Sequence, residues 1–295
     1  MHKGKVAVFT AEWNGTIVVI KSHREKSDYI PLYWTDNSNQ VFPDYEELVE
    51  MISQSLKLNF GVSLDNVMLT LFPFFKNNSE KTVDLMTNLW QLSQDNEYVM
   101  LMTNQHSKMF PKILSTCGTF YAVEYAKPIP VHSETNWKLR ILHSKQILEL
   151  LLKLASFQDP IHICDVKLEH FGLVEDHVVI LDADTVFPRS IVERSTSDGR
   201  KCNQHQDCNL FDCHLLCNQI TKHCDNNVIN SNLQLICEKI FLNSGLLLSG
   251  NLPGSQRILI EKCAEGGRPD AETYFTNELL SYFEEQLRIF RFRNS

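Results

Sequence analysis

Four short stretches of this 295-residue chain carry side chains able to act on phosphate. Val18-Val19-Ile20-Lys21 ends a β-branched run in an ammonium that can neutralise phosphate oxygens. Ile163-Cys164-Asp165-Val166-Lys167 sets a carboxylate beside a second ammonium, and His170 follows. Val178-Val179-Ile180-Leu181-Asp182-Ala183-Asp184 ends another β-rich run in two carboxylates. Such oxygens suit a hard cation, magnesium or manganese. Glu97, in Asn96-Glu97-Tyr98-Val99-Met100-Leu101-Met102, lies on a helical stretch and could hold Lys21 by an ion pair; Glu50, Glu80 and Asp84 compete for that role. The chemistry these groups fit is metal-assisted phosphoryl transfer, which depends on positioning and electrostatics.

Taken together the stretches follow the order of protein-kinase motifs. Lys21 matches the lysine of V-A-I-K, Asp165 the base of H-R-D-L-x-x-x-N, and Asp182 the metal aspartate of D-F-G. Lys167 stands where a second phosphate-contacting lysine sits, and Asp184 could add a metal oxygen. Gly4 and Val6, 17 and 15 residues before Lys21, fit the last glycine and following valine of a phosphate-covering loop. The first strand and earlier glycines are then expected upstream of Met1. Each piece has a plainer reading: an edge strand ending in lysine, a strand ending in a turn aspartate, a solvated helix glutamate. Three elements in order at workable spacings favour the kinase reading. His170 departs from the pattern, which has asparagine there as an oxygen donor. Imidazole prefers softer metals than magnesium, so weakened turnover and a preference for manganese are expected.

The elements that must position these groups are partly readable. Asn14-Gly15 between residues 5–13 and 16–21 predicts a tight hairpin. Helices are predicted over 44–60, with Asp44 at its start, over 83–102, from Ser133 to Phe157, and near 229–243 and 271–291. A strand pair is expected around Cys117–Glu124, and β-rich segments at 162–171 and 178–182. Strands lead and helices follow, which predicts an α+β chain with a small β-containing lobe, residues 1–127, and a larger helical lobe, residues 128–295.

A formal charge of -8 argues against nucleic acid as a partner. No apolar run is long enough to span a bilayer, and Met1–Lys5 lacks the core of a signal peptide. Against that stand nine cysteines, five of them at Cys202, Cys208, Cys213, Cys217 and Cys224. Their gaps contain no C-x-x-C knuckle, so disulfides in an oxidising compartment are favoured over zinc, although His205, His214 and His223 lie among them. A targeting segment absent from this chain would reconcile the two. Nine is odd, so one thiol is left over. Cys164 is expected to be buried and free, with Cys117 and Cys263 undecided.

Larger blocks resemble one family. They are Phe110–Tyr125, Cys164-Asp165-Val166-Lys167, Leu181-Asp182-Ala183-Asp184, and above all Cys208-Asn209-Leu210-Phe211-Asp212-Cys213, followed by Cys217, Cys224 and Asn230–Phe241. In these the chain resembles the divergent protein kinase domain 1 proteins (family with sequence similarity 69). The resemblance implies a bilobal protein-kinase-like fold with a disulfide-rich insert at 202–237, Cys237 included among the bonded cysteines. It also implies the endoplasmic reticulum lumen, with a signal anchor upstream of Met1. ATP with magnesium or manganese is the implied cofactor, and a protein substrate or partner in the lumen is expected. Family members carry a calcium-binding EF-hand. The corresponding stretch here, about 74–85, lacks the needed oxygens and glycine, and calcium binding is not expected. A second acidic stretch, 36–47, reads as a turn leading into a capped helix. Sequons at Asn14 and Asn77 would be open to glycosylation in the lumen, the first reading better as turn chemistry. Three functions remain: a lumenal kinase, a pseudokinase serving as a binding or scaffold module, and a cytosolic zinc module.

Overall fold

Asn14 and Gly15 take up positive φ (51° and 74°), as a two-residue turn matching strand twist requires. They join β1 (Ala7–Trp13) to β2 (Thr16–Ser22). A computed structural model describes residues 7–22, 29–75, 80–130, 136–195, 199–247, 252–266 and 269–292. The chain divides into two compact units, residues 1–126 with Asp182–Thr185, and residues 127–181 with 186–295. Gly4, Val6, Ser133 and the Asn77 sequon lie outside the described residues.

In the first unit a second hairpin follows, β3 (Trp34–Asp36) and β4 (Asn39–Val41), turning at Asn37 and Ser38. It leads into α1 (Tyr45–Phe60). Asp44 and Glu47 form a reciprocal capping box: the Glu47 N–H donates to Asp44 Oδ1 at 2.8 Å, and the Asp44 N–H to Glu47 Oε2 at 2.9 Å. Gly61, at φ 68°, stops the helix, and Leu48, Ile52, Leu56 and Phe60 form its buried stripe. The acidic stretch 36–47 is thus a turn, a short strand and a helix cap.

The helix predicted over 83–102 is two helices, after the short α2 (Val67–Leu71). They are α3 (Val83–Leu92), capped by Thr82, and α4 (Asn96–Thr103), capped by Asp95. Ser93 and Asp95 supply the stop and the restart, which periodicity alone does not register. β5 (Ile113–Cys117) and β6 (Phe120–Glu124) complete a four-stranded antiparallel sheet in the order β1-β2-β6-β5. Its register sets Lys21 directly opposite Tyr121.

The second unit opens with β7 (Lys127–Pro128) and the long α5 (Trp137–Ala155), whose start is capped by Asn136. β8 (Ile161–Ile163), β9 (Phe171–Val174), β10 (His177–Ile180) and β11 (Val186–Pro188) make two small sheets, β10-β9-β7 and β11-β8. α6 (Arg189–Arg194) leads to the cysteine-rich segment, which contains an unforeseen hairpin, β12 (Leu215–Asn218) and β13 (His223–Val228). The helix expected from 229 begins later, as α7 (Asn232–Leu235) capped by Ser231, and continues as a π-helix over Ile236–Asn243. α8 (Gly254–Glu265) was not foreseen, and α9 (Pro269–Phe292) closes the unit. No helix of the described residues is long and apolar enough to cross a membrane.

Four disulfides lie in the second unit: Cys164–Cys213, Cys202–Cys217, Cys208–Cys224 and Cys237–Cys263. They correct the expectation for Cys164, which is fully buried but bonded. Its partner is 49 residues away, and that pairing depends on how the insert folds over the loop. Cys117, exposed at the end of β5, is the thiol left over. The zinc alternative falls with these bonds. The sulfurs of Cys202, Cys208 and Cys224 lie within 4.8 Å of one another, yet all three are spent in disulfides.

Candidate functional site

Lys21 is the penultimate residue of β2 and is 9% exposed; Glu97, in the first turn of α4, is 1% exposed. The Lys21 ammonium donates to Glu97 Oε1 in a buried ion pair. Among the acidic residues considered for this role, Glu50, Glu80 and Asp84 are all exposed. A buried pair is sustained only when further hydrogen bonds satisfy its remaining atoms, and Tyr121 contributes one. Its hydroxyl lies 2.9 Å from Glu97 Oε2 and 3.3 Å from Asp95 Oδ2. Burial, with Asp95 and then Glu97 beside it, pushes the Tyr121 phenol far above its ordinary range. It therefore stays protonated and donates.

The same turn of α4 holds the loop that carries the paired carboxylates. Asn96 Nδ2 donates to the Ala183 carbonyl at 2.8 Å and to the Asp184 carbonyl at 3.1 Å, and the Ala183 N–H lies 3.4 Å from Glu97 Oε1. The Asp184 N–H donates to Asp182 Oδ1 at 3.1 Å, fixing the bend between the two aspartates. Asp95, Asn96 and Glu97 thus bind one end to the strand lysine and the other to the Asp182–Asp184 loop. The donor set of that loop, two carboxylates two residues apart, fits a divalent hard cation.

In the second unit Asp165, Lys167 and His170 sit between β8 and β9. Lys167 Nζ donates to Asp165 Oδ2 at 2.8 Å. His170 Nδ1 is 3.0 Å from the Asp165 carbonyl oxygen. A carbonyl can only accept, so in this contact Nδ1 carries the proton. The loop leans on the cysteine-rich segment: the Val166 N–H donates to Asp212 Oδ2 at 2.7 Å, and the Asp212 N–H to the Cys164 carbonyl at 2.7 Å. Lys239, from the π-helix, forms an ion pair with Asp212 Oδ1. The Ile163 N–H donates to Asn232 Oδ1 at 2.9 Å.

Of the residues singled out in the sequence, Lys21, Glu97, Asp182 and Asp184 are gathered in the first unit, and Asp165, Lys167 and His170 in the second. Sequence reasoning missed Tyr121, Asp95, Asn96, Asp212 and Lys239. Tyr121 needed the strand register, which no local pattern displays. Asp212 did have a signal, its place beside Cys213 in the most family-specific block.

Residues 89–266 match the sequence profile described as the protein-kinase domain of FAM69, and residues 1–72 match the profile of the N-terminal cysteine-rich endoplasmic-reticulum region of FAM69. Residues 1–72 themselves contain no cysteine. A solved structure described as the complex of Rv3197 with erythromycin from Mycobacterium tuberculosis is similar at 15% identity and a TM-score of 0.30, covering 65% of this chain. The chain spans about half that protein, 48%.

Proposed function

This chain belongs to the FAM69 family of cysteine-rich endoplasmic-reticulum proteins with a kinase-like domain, and on that premise we propose that it transfers the γ-phosphoryl group of ATP to a protein hydroxyl in the lumen. The observation that carries the reading is the buried Lys21–Glu97 pair, joined through Asn96 to the Asp182–Asp184 loop. A lysine intended only as a strand end is solvated. Here it is buried with a carboxylate and two further side chains around it, the arrangement that orients the α- and β-phosphates of a nucleotide. Four disulfides support the lumenal side, since such bonds persist in oxidising compartments.

In this reading Lys21 neutralises and orients phosphate oxygens, Glu97 holds Lys21 in place, and Tyr121 holds Glu97. Asp165 orients the acceptor hydroxyl and takes its proton as the new O–P bond forms and the bond from the γ-phosphorus to the β–γ bridging oxygen breaks, releasing ADP. Lys167, beside Asp165, offers charge to the transferring group. Asp182 and Asp184 would hold magnesium or manganese, which when bound supplies charge neutralisation at the phosphates.

The alternative, a non-catalytic binding module on the same fold, draws on His170, whose Nδ1 is committed to the Asp165 carbonyl where the kinase pattern has an asparagine. The two are separated with protein purified from a secretory host, by thermal shift with ATP and either metal and by transfer of labelled phosphate. Kinase activity predicts a metal-dependent shift that Lys21→Met abolishes. It also predicts that Asp165→Asn keeps the shift while transfer falls roughly 100-fold or more. No shift and no transfer with either metal leaves the binding module standing.

A further inference from the structure

Asp165 is flanked by two residues that the cysteine-rich segment grips. On one side Cys164 is bonded to Cys213, and its carbonyl accepts from the Asp212 N–H at 2.7 Å. On the other side the Val166 N–H donates to Asp212 Oδ2 at 2.7 Å. One dipeptide, Asp212-Cys213, therefore fixes the backbone both before and after Asp165. The Asp165 side chain, meanwhile, is left 24% exposed, the condition a proton acceptor needs. Asp212 is itself braced. Lys239 neutralises its other carboxylate oxygen, and Asn230 Nδ2 donates to its carbonyl at 2.7 Å while Asn230 Oδ1 accepts from the His214 N–H at 2.8 Å. A charged acceptor on a backbone amide, backed by a cation, makes a stronger tether than a neutral contact.

In a phosphorylation-regulated kinase the stretch that follows the metal-binding aspartate is the activation segment, ordered by new arginine–phosphate pairs. In this chain the corresponding stretch is the disulfide-bonded one. We propose that Asp212 is the positioning residue of the catalytic loop, holding Asp165 from the cysteine-rich segment so that the loop is set by disulfides and one carboxylate. The proposal rests on the kinase reading for its consequence in catalysis, but the grip itself does not.

The experiment compares wild type with Asp212→Asn, which keeps the shape, with Asp212→Ala, and with Lys239→Met. Three quantities are read: hydrogen exchange at the amides of Asp165–Lys167, kcat against nucleotide KM, and the number of intact disulfides by non-reducing mass spectrometry. The expected result is faster exchange at Val166 by tenfold or more in both Asp212 variants, and a smaller increase in Lys239→Met. A kcat at least tenfold lower, at unchanged nucleotide KM and with four disulfides intact, completes the expectation. A merely structural role would lower the melting temperature without that kcat-against-KM split. Exchange at Val166 and kcat both equal to wild type in Asp212→Asn and Asp212→Ala would overturn the proposal. Should wild type show no transfer while Val166 exchange still responds, the kinase reading fails and the grip of Asp212 on the Asp165 loop stands without it.

Discussion

At the scale of single residues the buried ion pair sets the largest energies. Glu97 is almost fully buried against Lys21, Tyr121 and the Ala183 amide, so neutralising it removes a carboxylate charge from beside a buried ammonium. Glu97→Gln is expected to destabilise the first unit by roughly 3–5 kcal/mol, read as a lower urea midpoint. A variant within 1 kcal/mol of wild type would show the pair to be dispensable. The histidines give a pH signature. Burial depresses the His162 imidazole to about 4, with Arg189 adding to the depression and Glu193 and Asp159 opposing it. The unfolded chain takes up that proton near pH 6.5, so the folded value is the lower one. Its contribution is whole above about 6.5 and is lost as pH falls toward about 4. His143, also depressed by burial, acts in the same sense. The urea midpoint should therefore fall between pH 7 and pH 5, and His162→Gln should flatten the fall; a midpoint independent of pH would contradict the assignment.

Among the elements, β9 shows how little room the framework near the Asp165–His170 loop has. A methyl group added at Gly172 would meet the Leu181 side chain at 2.9 Å and the Lys127 carbonyl at 3.0 Å. The leucine can shift, but the carbonyl belongs to the β7–β9 pairing and cannot without opening it. Gly172→Ala is expected to cost about 1–3 kcal/mol, visible as a lower melting temperature with Gly61 and Gly15 left intact as controls. This is also the scale at which the sequence was most and least informative. Asn14-Gly15 and the Asp44–Glu47 box are local chemistry, and they mark β1, β2 and α1 closely. The break at Ser93–Asp95 is equally local but was hidden by apolar residues that keep helical spacing across it. The β12–β13 hairpin displays little alternating apolar pattern, because two of its three buried positions, Cys217 and Cys224, are cysteines held by covalent bonds and only Leu215 is a hydrocarbon side chain. Lys21, Asp165 and Asp182 stand out as candidates from spacing alone. Tyr121, which bonds Glu97, and Asp212, which bonds the Val166 amide, depend on register and on a 49-residue closure.

For the whole molecule the covalent map is lopsided. Each disulfide joins two residues of the second unit, while the first unit carries only the exposed thiol of Cys117. Closing the loop between Cys164 and Cys213 is worth about 4 kcal/mol in the chain-entropy picture. Reduction by a dithiol is therefore expected to loosen residues 127–181 and 186–295 by hydrogen exchange and leave the sheet of β1, β2, β6 and β5 protected. Equal loss in both units would show that the first depends on the second. The bonds also have a topological property. Cys164–Cys213, Cys202–Cys217 and Cys208–Cys224 all straddle the peptide bond between Phe211 and Asp212, where Phe211 is 45% exposed and held at φ 52°. A protease cutting there would sever the backbone while three sulfur bridges kept the halves in one particle. The chain could thus carry a nick unseen, until a reducing gel resolved it into two bands.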